Sequence, residues 1–298
     1  MNSMYVDDFV SLFRGRGDVY GHEEGRCVKE PLNIARFQDH LYGREAIGVY
    51  PMVPLGNDYA CVWGCSDIDI EDINLAITLH QTLKAAGVTS WIERSRSKGY
   101  HVWVFVSDLV PAVDMRRMLL LAHQVCEIPA REVNPKQETL SHGQYGNYVR
   151  LPYFNGGNET PTKRVILDPN TLEPMPLARF LSGAFPTKNS PALIKQLAQM
   201  YVPPAPLRQI NITDPSGSVE EVLRLVGPLA RVIWRDGPLE GKDRSFTLVK
   251  LCGLLQRGGI SPSDAKIILE DADRRWGKYH LRANGGQEIE KIIQKVYS

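Results

Sequence analysis

The run ACVWGCSDID, residues 60–69, is apolar for most of its length and then breaks into acids. A buried strand that surfaces at a functional edge has this form. Two more strand-like stretches follow, VTSWIERS (88–95) and YHVWVFVS (100–107), joined by a short Arg/Ser/Lys/Gly loop. In the second, His101, Trp103 and Phe105 share one face, while Val102, Val104 and Val106 share the other. EDINLAITLHQTLKAAG (71–87) carries Ile73, Ile77, Leu79 and Leu83 near helical spacing, with Gly87 as a stop. AVDMRRMLLLAHQVCE (112–127) reads as a second helix, and REV (131–133) and NYVRLPY (147–153) as short strands. Residues 1–185 therefore predict a mixed domain of alternating strands and helices.

From about 186 to 217 the composition shifts to prolines, with PPAP (203–206) the stiffest part. This predicts a linker carrying one short helix, PALIKQLAQMY (191–201). Residues 218–298 read as purely helical. SVEEVLRLVGPLARVIW (218–234) opens on a capping box, and DRSFTLVKLCGLLQRGG (243–259) stops at a glycine pair. SPSDAKIILEDADRRW (261–276) has Ser261 as cap and Pro262 at the first helical position, and QEIEKIIQKVY (287–297) closes the chain.

The 298 residues are 43% hydrophobic and 23% charged, which excludes a disordered or fibrous chain. Thirty-five basic residues against 34 acidic leave a net charge of +1, so nucleic-acid binding by bulk charge is also excluded. Any site for a polyanion has to be a local patch. The bias is slight: residues 1–217 hold 21 basic and 23 acidic residues, residues 218–298 hold 14 and 11. Five scattered cysteines argue against a disulfide framework. Cys61 and Cys65 have no second Cys/His pair at zinc spacing, so free thiols and no zinc are expected. No signal peptide and no run of 18 apolar residues is seen, which predicts a cytoplasmic protein without membrane contact.

SDIDIED (66–72) is the sharpest local feature. Asp67 and Asp69 point to one face of a strand, where two carboxylates oppose each other's ionisation. Hard cations such as Mg²⁺ or Mn²⁺ relieve that repulsion, and two-metal phosphoryl transfer uses such a pair. The bland alternative is a helix N-terminus with acids set against its dipole. SRSKGYH (95–101) adds Arg96, Ser97, Lys98 and His101, donors suited to triphosphate oxygens, with Gly99 allowing close approach. The alternative is a basic surface turn. Glu132 in REVNPKQ, and Asn147 and Arg150 in GNYVRLPY, fit the same site, although each alone suits a surface strand or a salt bridge.

The order FRGRGDVYG (13–21), HLYGREAIGVYPM (40–52), the D-x-D strand, ERSRSKGYHVWVF, EVNPKQ and GNYVRLP resembles the archaeo-eukaryotic primase superfamily over residues 10–170. Within it, the sequence is similar to the primase-polymerases of phages, plasmids and mobile conflict systems. The resemblance implies an α+β catalytic domain over 1–185, with a mixed or antiparallel RRM-like sheet flanked by helices. A Pro-rich linker (186–217) and a small all-α primase-associated domain (218–298) would follow. It implies Asp67 and Asp69 as the D-x-D element and Ser97 and His101 as a loosely matched Ser-x-His element. The third acid would be Glu132, which precedes the N-P-K-Q stretch found in relatives, although Arg131 stands where an apolar residue is usual. Asp168 in VILDP is the rival.

On this reading Asp67, Asp69 and Glu132 hold two divalent cations, Mg²⁺ or Mn²⁺. Arg96, Ser97, Lys98, His101, Asn147 and Arg150 bind the nucleotide. Lys242, Arg244, Lys250 and Arg257 contact a single-stranded DNA template. The expected activity is template-directed nucleotidyl transfer from dNTPs or NTPs, as a primase or DNA polymerase. A helicase would act in trans or in a longer parent chain. The first alternative is a non-catalytic single-stranded DNA or origin-binding module, which would shift DNA but incorporate nothing. The second is a two-metal nuclease, which would need no triphosphate.

Overall fold

A computed structural model describes residues 3–130, 132–141, 143–204, 210–238 and 243–298. The chain divides into two compact units, Met1–Val202 and Pro203–Ser298. In chain order the first unit contains α1 (Ser3–Phe13), β1 (Tyr20–His22), β2 (Cys27–Val28), α2 (Ile34–Leu41), β3 (Ile47–Val49), β4 (Val53–Leu55), β5 (Asp58–Ile68) and α3 (Ile73–Ala85). It continues with β6 (Trp91–Arg94), β7 (Tyr100–Pro111), α4 (Ala112–Val125), β8 (Glu132–Asn134), β9 (Val149–Arg150), β10 (Val165–Ile166), α5 (Leu177–Ala184) and α6 (Pro191–Ala198).

The apolar run at 60–69 is the centre of the larger sheet, which runs β10-β6-β7-β5-β4. β4 and β8 share the remaining edge of β5, one against Asp58–Ala60 and the other against Cys65–Asp67. Each of these pairings is antiparallel. The segment β5-α3-β6-β7-α4-β8 is thus a βαββαβ unit with strand order β6-β7-β5-β8, the RRM-like α+β core. α3 starts where the Asp72 side chain accepts from the Asn74 N–H, and the chain leaves it through Gly87 at φ +79°.

Because side chains alternate along a strand, the sheet has two distinct faces. One packs on α3 and α4: Met115 and Leu119 of α4 lie directly over Gly64, and His123 Nε2 sits 3.1 Å from Ser66 Oγ. The other face carries Trp63, Trp103 and Phe105. Phe13 from α1 meets Trp103 and Phe105 edge-on, with centroids 5.1 and 5.0 Å away, and Phe180 from α5 closes against Trp91 at 5.3 Å. These rings fill one end of that face and leave its other end to polar residues. A smaller antiparallel sheet, β2-β1-β3-β9, brings Arg150 opposite Gly48. Buried His40 ties this region together: Nδ1 accepts from the Ile47 N–H at 3.2 Å, and Nε2 donates to the Pro152 carbonyl at 2.8 Å.

The helix expected in the Pro-rich stretch is α6. It packs on α4 and buries Ile194 in the first unit's core, which therefore runs on to Val202. The second unit contains α7 (Val219–Leu225), α8 (Pro228–Asp236), α9 (Arg244–Arg257), α10 (Pro262–Trp276) and α11 (Gly285–Tyr297). The Ser218–Glu221 capping box forms, but 218–234 is not the single helix its pattern predicts. Pro228 has no N–H to continue the ladder, so Val226 turns extended and a second helix starts at Pro228. Leu248, Leu251 and Leu255 of α9 pack with Ile268 of α10 and Ile289 and Ile293 of α11. Among the described residues, no helix is long and apolar enough to cross a membrane. Cys61 and Cys65 are free and buried on β5, and burial pushes both thiols up.

Candidate active site

One cross-strand row organises the polar end of the aromatic face. Glu93 on β6 is register-paired with His101 on β7, His101 with Asp67 on β5, and Asp67 with Glu132 on β8. Residues directly opposite in an antiparallel pair project from the same face. Four strands therefore deliver three carboxylates and one imidazole side by side. His101 Nδ1 lies 2.8 Å from Glu93 Oε2, and its Nε2 is 3.8 Å from Asp67 Oδ1. Asp69 follows just beyond the end of β5.

A cavity of about 260 Å³ opens over this row. Its walls include Asp67, Asp69, Glu93, His101 and Glu132, together with Arg96, Ser97, Lys98, Asn147, Arg150 and Arg164. The loop between β6 and β7 is held tight, with the Ser95 N–H on the Gly99 carbonyl (3.2 Å) and Ser95 Oγ on the Lys98 carbonyl (2.8 Å). Gly99, at φ +84°, lets it lie against the acidic strand end. A Cβ there would sit 2.1 Å from the Ile68 carbonyl oxygen. Glu23 gathers three arginines of the cavity lining: Arg164 at 2.5 Å, Arg96, and Arg150, which donates to its carbonyl at 3.0 Å. Glu23 Oε2 and Arg150 Nε are buried with no hydrogen-bond partner among the described residues.

Burial raises the Asp67 carboxyl above its ordinary range; His101 opposes this, while Glu132, Asp69 and Glu93 add to it. Burial alone would lower His101, but Glu93, by charge and hydrogen bond, and then Asp67 outweigh it and leave the imidazole raised. Burial would likewise lift Glu23, but Arg164, Arg96 and Arg150 hold it below the usual range. Among the described residues no three His, Cys, Asp or Glu side chains converge as a ready metal cluster. Each acid of the expected set instead has its own cationic neighbour: Glu132 has Lys136 (3.0 Å), Asp69 has Lys98 (3.9 Å) and Asp67 has His101 (3.8 Å). The donor set suits a hard divalent cation, since Asp67, Asp69 and Glu132 offer only carboxylate oxygen and line the same cavity.

All nine residues read from the sequence as acid or nucleotide ligands line this one cavity. Asp168 does not. Its Oδ1 accepts from the Asn170 and Thr171 N–H groups, and Oδ2 pairs with Arg179 at 2.5 Å. The expected template contacts lie in the second unit. Lys242 is outside the described residues. Arg244 donates to the Gly277 carbonyl. Lys250 and Arg257 border a groove of about 390 Å³ along α9, with Phe246 and Val249.

Sequence reading missed Glu93, Asn134 and Arg164 as site residues. Glu93 had a signal: a hairpin with a loop over Ser95–Gly99 puts it opposite His101. Asn134, register-paired with Cys65, had only its place two residues after Glu132 on β8. Arg164 had none. It is held at φ +53°, stacked on Phe154 with its guanidinium 5.5 Å from the ring centroid.

A family model described as "TOTE conflict system, Archaeo-Eukaryotic Primase domain" matches residues 25–184. Among solved structures, the chain is similar to one described as the crystal structure of primase RepB′. That likeness has 12% identity and a TM-score of 0.31, and covers 99% of this chain and 94% of that one. No curated protein matches the chain.

Proposed function

This chain belongs to the archaeo-eukaryotic primase family, in the form found in TOTE conflict systems, and we propose that it is a template-directed nucleotidyltransferase acting on single-stranded DNA. The observation that supports this most is the row Glu93–His101–Asp67–Glu132, facing a cavity that Arg96, Lys98, Arg150 and Arg164 also line. Carboxylates and cationic side chains meet in one pocket, where they can stabilise the charge of a phosphoryl transfer.

Asp67, Asp69 and Glu132 would hold Mg²⁺ or Mn²⁺, which when bound supplies a lowered pKa for the attacking 3′-hydroxyl and neutralisation of phosphate charge. Arg96, Ser97, Lys98 and His101 bind the triphosphate oxygens and keep its departing pyrophosphate in place. Arg150 and Asn147 orient the phosphate and sugar from the β9 side. The protein's own contribution is chiefly positioning and electrostatic stabilisation. Lys250 and Arg257 on α9 hold the template through its phosphates.

The test incubates the protein with a single-stranded template and labelled dNTPs or NTPs, with Mg²⁺ or Mn²⁺, with and without primer. Extension or primer synthesis is expected, and the Asp67→Ala/Asp69→Ala variant should lose it while keeping its melting temperature. Retained synthesis by that variant refutes the metal assignment. A gel shift without incorporation points instead to a binding module, and cleavage without triphosphate points to a nuclease.

A further inference from the structure

We propose that Glu93 is a positioning residue that holds the His101 imidazole and aims its Nε2 into the cavity. The inference rests on the nucleotidyl-transfer reading of that site and extends it to a residue outside the expected ligand set. Glu93 is only 1% exposed, on a strand whose neighbours are aromatic and β-branched. A carboxylate buried there costs several kcal/mol unless paired, so its surroundings have to compensate for it. They do so at Oε2, which accepts from Trp103 Nε1 at 2.6 Å and lies 2.8 Å from His101 Nδ1.

Trp103 is itself immobilised. Phe13 stands edge-on to it at 5.1 Å, Trp63 at 5.2 Å, and Phe105 stacks at 6.2 Å. The accepting oxygen is thus located by the aromatic core, not by solvent, and it fixes Nδ1 as the donor nitrogen. The other nitrogen is then turned toward the pocket, and the His101 ring also packs edge-on to Trp103 at 5.9 Å.

Two carboxylates compete for this imidazole, Glu93 at 2.8 Å and Asp67 at 3.8 Å. If Asp67 won, His101 would turn into the row, covering the proposed cation ligand and leaving the phosphates one donor short. Glu93 prevents that by engaging the nitrogen on the far side of the ring. Nε2 is left on the cavity side of the ring, 3.8 Å from Asp67 Oδ1.

A double-mutant cycle with Glu93→Gln and His101→Ala tests this. Gln preserves volume and removes the charge. Glu93→Gln alone should raise the nucleotide KM about tenfold, the low end of effects seen for groups that orient ligands, with kcat changed less than threefold. In the His101→Ala background the same change should add nothing. Equal losses in both backgrounds, or a wild-type KM in Glu93→Gln, overturn the proposal. A second readout needs no activity. In the metal-free protein, ¹⁵N-edited NMR of the imidazole should show a hydrogen-bonded Nδ1 proton that shifts upfield in Glu93→Gln. An unchanged signal overturns the proposal even if wild type incorporates no nucleotide, an outcome that counts against the polymerase reading alone.

Discussion

Replacing Gly99 by alanine probes the close approach of the basic loop to the acidic strand end. Two costs arise there. The residue sits at φ +84°, and the new Cβ would lie 2.1 Å from the Ile68 carbonyl oxygen and 3.1 Å from Asp69 Cα. The first is backbone strain of about 1–3 kcal/mol. The second cannot be absorbed by a flexible side chain, because both contacts are backbone. Restoring an ordinary contact moves the loop away from Asp69 by about 1 Å. Misplacement on that scale costs roughly 100-fold in rate when the displaced groups hold the substrate. The expected result is a roughly 100-fold drop in nucleotide incorporation, with a melting temperature lowered by about 2–10 °C. Gly87→Ala is the matched control: φ is +79°, yet no atom lies within 4 Å of the added Cβ. It should share the backbone strain and keep full activity. Gly99→Ala within threefold of wild type, or equal losses in both variants, would refute the link between loop seating and catalysis.

Burial depresses His40 from 6.5 to about 4, so between those pH values the unfolded chain takes up the proton first and stability falls as pH falls. Stability is undiminished above pH 6.5, and the loss amounts to about 3 kcal/mol once pH has dropped through 4; unfolding free energies of wild type and His40→Gln from urea titrations should differ in their pH dependence there, and parallel pH dependences would contradict it. Phe180→Ala removes a fully buried ring shared by Phe13, Trp91, Phe105 and Tyr153, and should cost about 3–5 kcal/mol in equilibrium unfolding. Lys250→Ala with Arg257→Ala should weaken single-stranded DNA binding and flatten its log–log salt dependence by about 1.4. An unchanged slope would remove α9 from the template path. Chelating divalent cations should weaken triphosphate binding, and triphosphate should tighten cation binding by the same factor, as linkage demands; titration calorimetry reads both.

Much of the core unit was legible because its elements are long. β5, β7, α3 and α4 each carry enough residues for a period of two or 3.6 to stand out. Of the smaller sheet only β9 was legible, within the short strand read at 147–153; β1, β2 and β3 have two or three residues each, and no period shows in so short a run. The break at Pro228 could have been read from the proline, but the apolar pattern runs through it on both sides. Site residues divide in the same way. Asp67 and His101 sit in strands whose alternation fixes the direction of their side chains, and Asp69 follows one residue past the end of β5. Glu93 is fixed by hairpin register, a relation between two strands that single-strand periodicity does not contain. Arg164 comes to the pocket through an irregular segment, where only the tertiary fold determines the neighbours.

Near-neutral composition constrains such a site strongly. With basic and acidic residues almost equal in number, a polyanion site can arise only by separating charge in space. The sheet does this by register. The ends of β5, β6 and β8 set Asp67, Glu93 and Glu132 on one wall, while the β6–β7 loop, β9 and the approach to β10 supply Arg96, Lys98, Arg150 and Arg164. Ion pairs offset these charges where they meet: Glu132 with Lys136, Asp69 with Lys98, and Glu23 with Arg164. A triphosphate arriving alone would satisfy the arginines and leave the acids repelling it. Cations arriving alone would satisfy the acids and repel the arginines. On the proposed reading only the two together complement both sets of charges, so the register that builds the row would also couple the binding of cation and nucleotide.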